Sequence, residues 1–188
     1  MGAGLIILLV ILALLVILVL WIIGVYNNLI KLRNLGQNAW ADVDVQLKRR
    51  YDLIPNLVNT VKGYATHERE TFENVTKARS MAAAAKTPAE KGQAENFLTQ
   101  ALRQLFAVVE NYPELKANQN FLELQKTLND IENDIQNARR YYNAVVRDYN
   151  IALQVFPNNI IAGMFNFRPM EFFELGDENQ REAPTVNF

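Results

Sequence analysis

The chain has 188 residues, half of them apolar, with 19 Lys and Arg against 20 Asp and Glu, for a net charge of −1. That balance is unlike a disordered chain, which is polar and strongly charged, and unlike a nucleic-acid binder, which needs a basic surface to displace phosphate counterions. The absence of cysteine excludes disulfides and thiolate metal sites.

The first segment, residues 1–25, reads as an N-terminal tip and a transmembrane anchor. From Leu5 to Val25 the run is aliphatic and aromatic, broken only by Gly24, and roughly 20 such helical residues cross a bilayer core. A cleaved signal peptide would need a charged start, a shorter apolar run and a small-residue cleavage site. No Lys or Arg precedes the run, and Trp21 to Tyr26 offers no such site. Trp21 and Tyr26 suit the membrane interface, with Lys31 and Arg33 just beyond it. By the positive-inside rule these two charges put the N-terminus outside and the following domain in the cytoplasm. The run carries no small-xxx-small pattern for close helix crossing.

Residues 26–156 read as a helical domain, with helices at about 26–63, 67–85, 88–111 and 117–155. The first stripe runs Trp40, Val43, Leu47, Arg50, Ile54, Leu57, Val61, Tyr64. Pro55 lies inside it; its ring crowds the Tyr51 carbonyl four residues back, and its missing N–H leaves that carbonyl unpaired. Because the stripe keeps phase, a kinked helix is expected rather than a new helix capped by Asp52. Gly63 to Thr66 breaks the pattern, with Thr66 as N-cap candidate. The second stripe is Phe72, Val75, Arg79, Ala82. Thr87-Pro88-Ala89-Glu90 has capping-box spacing with proline at the first helical position. It opens a third stripe, Leu98, Leu102, Leu105, Val109, Tyr112, which Pro113 ends. The fourth, Phe121, Leu124, Leu128, Ile131, Ile135, Ala138, Tyr142, Val145, Tyr149, alternates steps of three and four. Tight turns between such stripes favour an all-α, antiparallel up-down four-helix bundle over seams between chains. After Pro157 the helical period is lost, so residues 157–188 read as an irregular, Phe-rich tail, polar and extended from Gly176. Phe165, Phe167, Phe172 and Phe173 are too many aromatics to leave in water; they pack either on the chain's own bundle or, as a candidate assembly surface, on a neighbouring subunit.

The segment LKRRYDLIPNLVNTVKGYA from Leu47 to Ala65, with YNNLIKLRN and AWADVDVQ before it and Thr66-His67-Glu68 after it, resembles the hallmark segment of the LemA family. VTKAR around Arg79, RRYYNAVVRDYN from Arg139 to Asn150 and FPNNIIAGMF from Phe156 fit as well. The resemblance covers nearly the whole chain beyond the anchor. It implies a bacterial membrane protein with an N-terminal anchor and a helical bundle, and it supplies no mechanism.

The residue inventory argues against an enzyme. The sole serine, Ser80, has no histidine at a local spacing. A di-iron bundle needs two Glu-x-x-His motifs, and the sole histidine, His67, has Tyr64 at the required place; it reads as a surface residue at a helix start. No Gly-rich phosphate loop appears, and Asp130, Glu132 and Asp134 read as a solvated face. No metal, cofactor or nucleic acid is expected. Arg50 and Arg79 interrupt apolar stripes, and a buried charge requires a partner. Each is either a register-setting ion pair or part of a polar pocket. Lys48-Arg49-Arg50 lies on the order of 35 Å beyond the anchor along a straight helix, too far for lipid headgroups. The expected function is a single-pass scaffold or adaptor of the bacterial membrane, homo-oligomeric and acting on a protein partner yet to be identified. The alternative is a ligand-sensing input protein with a pocket near Arg50 or Arg79.

Overall fold

The computed structural model describes residues 2–174. The polar stretch from Gly176 lies outside them. The described residues are helical with no strand: α1 (Ala3–Lys62), α2 (Arg69–Ala84), α3 (Pro88–Val109), α4 (Pro113–Lys116), α5 (Gln119–Gln154) and α6 (Asn158–Met164). The membrane-length run and the first helix of the domain are one uninterrupted helix. Leu5 to Leu20 are all exposed, on a helix long and apolar enough to cross a membrane. Pro55 sits inside α1 without ending it. Each helix buries the stripe its periodicity sets: Val43, Leu47, Ile54, Leu57 and Val61 on α1; Phe72, Val75 and Ala82 on α2; Leu98, Leu102, Leu105 and Val109 on α3; Phe121, Leu128, Ile131, Ile135, Tyr142, Val145 and Tyr149 on α5. Tyr64 drops out because α1 stops at Lys62, and its ring is 39% exposed.

The caps are mixed. Thr87 and Glu90 form the reciprocal capping box, with the Glu90 N–H donating to Thr87 Oγ1 at 3.2 Å and the Thr87 N–H to Glu90 Oε2 at 3.3 Å. Thr66 does not cap α2, which follows Glu68 with no side-chain cap. Asn118 caps α5, its Oδ1 accepting from the Phe121 N–H at 3.0 Å. The expectation that helix is lost after Pro157 is corrected by α6. That helix is only seven residues long, too short to show a repeating stripe. It ends where Asn166 takes φ 55°, the left-handed conformation asparagine tolerates, and the Phe167 N–H donates to Ala162 O at 2.9 Å.

The described residues divide into two units, residues 2–40 with 144–170, and residues 41–143 with 171–174. In the first, Leu29, Tyr149, Leu153 and Ala162 form a small core, with Val25, Leu32, Phe167 and Met170 against it. Asn150 holds the Met170 backbone at both ends, accepting from its N–H and donating to its carbonyl, each at 2.9 Å. In the second unit, α2 and α3 pack on each other. Asn143 grips Phe173 in the same two-bond manner, at 2.9 and 3.1 Å. A Cβ on Gly92 would come within 2.1 Å of the Glu174 carbonyl oxygen, so only glycine lets that backbone lie so close to α3.

Candidate functional site

The second unit encloses a polar cluster in its apolar interior. Arg50, 3% exposed, reaches from α1 to α3, where its Nη1 lies 2.8 Å from Glu95 Oε2 and its Nη2 donates to Thr99 at 3.2 Å. Glu132 of α5 approaches the same Nη1 at 3.3 Å. Tyr51 donates its hydroxyl to the other oxygen of Glu95, and lies 3.3 Å from the Ala82 carbonyl at the end of α2. Lys91 is buried, pairs with Asp44 and lies over the Tyr51 ring. Burial pushes the Glu95 carboxyl above the ordinary range, outweighing the opposing pull of Arg50. Burial, reinforced by Glu95, pushes the Tyr51 phenol up as well. Arg50 Nε is buried without a partner. The guanidinium thus fastens α1, α3 and α5 to one another, and its charge faces carboxylates inside the domain.

Arg79 does something different. Half-buried on α2, it donates from Nε to Tyr51 O at 2.6 Å. That carbonyl is the one Pro55 leaves without an amide partner. An arginine on a neighbouring helix therefore supplies the hydrogen bond that the proline removes.

The sequence singles out Arg50 and Arg79 but misses Glu95 and Lys91. A signal for both is present: the α3 stripe extended backwards runs Val109, Leu105, Leu102, Leu98, Glu95, Lys91 in unbroken steps of three and four, so both charges lie on the buried face. Asn143 and Asn150 are missed too; their seven-residue spacing places them on one face of α5.

The remaining candidates separate. Arg49 is exposed and pairs with Asp134 at 3.3 Å, so both arginines of the basic triplet face carboxylates. His67 is exposed, and Ser80 returns its hydroxyl to Thr76 O at 2.9 Å. Among the described residues no group of three or more His, Asp or Glu is arranged to hold a metal ion. An open groove of about 650 Å³ is lined by Lys62, Arg69, Phe72, Glu73, Lys77 and Ser80. A smaller one of about 330 Å³ lies between α2 and α3, bordered by the exposed Met81 and Phe97. Of the four aromatics read as an assembly surface, Phe173 is fully buried in the second unit and Phe172 stays 39% exposed. The reason is the alternation of an extended segment, which turns adjacent side chains to opposite sides. In the first unit Phe167 is part-buried beneath the Arg33 guanidinium, 5.6 Å from its ring centre, while Phe165 is 50% exposed. Tyr26 packs on both rings, at 4.8 Å from Phe165 and 5.6 Å from Phe167. Trp21 is exposed at 37%, and Lys31 is exposed.

The profile of the LemA family matches residues 39–188. Magnetosome protein MamQ 1 of Paramagnetospirillum magneticum is 25% identical over 175 residues, covering 79% of this chain and 64% of its own length. Magnetosome protein MamQ of Magnetospirillum gryphiswaldense is 24% identical over 174 residues, with the same coverage. Protein LemA of Metamycoplasma hominis is 26% identical over 167 residues, covering 87% of this chain and 75% of its own length. The chain thus spans 64% of the length of the magnetosome relatives it matches.

Proposed function

The chain belongs to the LemA family, and from that premise we propose that it is a membrane-anchored scaffold or adaptor, acting by protein contact as a homo-oligomer and catalysing nothing itself. Leu5 to Val25 forms the span, the N-terminus faces outward, and α1 beyond the span joins α2, α3 and α5 in an antiparallel four-helix bundle in the bacterial cytoplasm. The Arg50 link between α1, α3 and α5 and the Arg79 link between α2 and α1 support the bundle. Arg50 and Arg79 then serve helix register rather than a pocket. The observation that carries the reading is a contrast within the second unit. Its interior charges are spent on one another, while Met81 and Phe97 stay 45% and 55% exposed beside a shallow groove. Exposed apolar anchors beside a groove are what a protein contact needs. Similarity to proteins named for the magnetosome fits a component of a larger assembly.

Light scattering of the full-length chain in detergent tests this. The protein mass is expected to be a multiple of 21.5 kDa, and Phe97→Ser with Phe172→Ser should lower it while helical circular dichroism persists. A wild-type monomer at all concentrations overturns the scaffold. A second reading, an input domain for an anionic ligand, draws on the larger groove, where Lys62, Arg69 and Lys77 surround Phe72; a ligand-induced rise in melting temperature abolished by Lys77→Glu would favour it.

A further inference from the structure

The first unit leaves a group of large apolar side chains uncovered at one end. Phe156 is 79% exposed, Met164 69%, Ile160 52% and Phe165 50%. They have a common position. Leu29 of α1 packs on Tyr149 and Leu153 of α5 and on Ala162 of α6, and the Tyr26 ring lies 4.8 Å from that of Phe165. The end of α5, the corner at Phe156 and all of α6 therefore adjoin the turn of α1 that follows Val25.

That turn has a fixed depth if Leu5–Val25 spans the bilayer, a reading on which this inference rests. At about 1.5 Å per residue the run is roughly 31 Å long, close to the hydrocarbon thickness of about 30 Å. Tyr26 then lies where hydrocarbon gives way to headgroups, and Phe165 lies beside it. α6 has the matching two-sidedness: Ile161 and Ala162 are buried inward, while Ile160 and Met164, one turn apart, face out. From Ile151 to Phe167 the chain carries no charged residue. Lys31 and Arg33 come just after the span and Arg168 just after this stretch, where they suit lipid phosphates.

We infer that Phe156, Ile160, Met164 and Phe165 insert into the interfacial layer of the leaflet that receives the Tyr26 end of the span, giving the protein a second, peripheral hold on the same membrane. The occupant is lipid rather than a second copy of the chain because the patch is continuous with the spanning helix: apolar side chains at that depth meet acyl chains before they meet another protein. The hold adds to the interfacial residues of the span in setting the direction in which the first unit leaves the membrane, since such anchors set the tilt and rotation of a spanning helix.

The chain has no cysteine, so single labels report cleanly. Spin labels on Phe156→Cys, Ile160→Cys and Met164→Cys are compared with Leu12→Cys in the span and Asp130→Cys on the exposed face of α5. The full-length chain is placed in phosphatidylcholine–phosphatidylglycerol vesicles, and collisions with oxygen and with a water-soluble nickel chelate are measured. The three patch sites are expected to show an oxygen-to-nickel collision ratio between those of Asp130→Cys and Leu12→Cys, with nickel collisions several-fold rarer than at Asp130→Cys. Nickel collisions equal to those at Asp130→Cys would place the patch in water and overturn the inference. Low collision with both reagents would mean that protein covers it, and would overturn it in favour of a second copy. Lipid exposure at Leu12→Cys without it at the patch sinks this inference alone; its absence at Leu12→Cys sinks the span as well.

Discussion

Arg50 and Glu95 show what a charge inside an apolar face demands. Removing each from water costs several kcal/mol, which a short, well-oriented contact with further hydrogen bonds offsets; here Thr99, Tyr51 and Glu132 complete the set. Arg50→Ala strands a carboxylate that is 1% exposed, so urea unfolding should show a loss of about 3–5 kcal/mol. The double replacement Arg50→Met, Glu95→Leu should recover most of it, because no buried charge is left alone; a double variant as unstable as the single would mean that the pair stabilises beyond its own desolvation. Tyr142 allows a test by pH. Its hydroxyl donates to Glu171 O at 2.7 Å, and burial, with the Glu171 charge, pushes its phenol from 10.0 up to about 12. The folded state holds this proton more tightly than the unfolded state, so its contribution is present in full below pH 10.0 and is lost as pH rises through about 12. Melting temperature should fall less steeply across that window in Tyr142→Phe than in the wild type. In the 295 nm absorbance titration of the folded protein one late-ionising tyrosine should disappear. Equal slopes and titrations would place Tyr142 in contact with water.

At the scale of the element, Pro55 explains Arg79. A proline inside a helix leaves one carbonyl without its amide, and an unsatisfied buried polar group costs about 1–3 kcal/mol. Arg79 fills that place from α2, so the flaw in one helix becomes the attachment point of the next. Arg79→Ala should cost about 1–3 kcal/mol in the native background. In a Pro55→Ala background, where the substitution restores an amide N–H to the Tyr51 carbonyl, the same change should cost clearly less. Strict additivity in this double-mutant cycle would show that Arg79 acts on something other than the proline's carbonyl.

The whole molecule is organised by where its apolar surface goes. The apolar run at the start of α1 keeps its side chains exposed, the stripes of α1, α2, α3 and α5 go inward, and the corner at α6 turns its own outward beside the end of that run. With Lys31 and Arg33 just after the apolar run, the proposed orientation puts the helical domain in the cytoplasm. A membrane-impermeant thiol reagent should leave Lys116→Cys unlabelled in intact cells and label it after permeabilisation. Labelling of intact cells would reverse the orientation and put the domain outside.

The sequence by itself determined what local periodicity and composition control. The membrane-length run, the helical stripes, the Thr87–Glu90 cap and the anomaly of a charge at Arg50 are each visible within a few turns of chain, because a helix repeats its faces every 3.6 residues. Only the tertiary structure decided what depends on residues distant in sequence. It joined Arg50 to Glu95, forty-five residues away, and Arg79 to the carbonyl that Pro55 leaves open. It placed α6 where no stripe was long enough to reveal it. It also sorted the aromatics, burying Phe173 and leaving Phe165 half in the open. A short, irregular segment has no period to declare its inner face; that face is set by the surface it lies on, which exists only once the helices have packed.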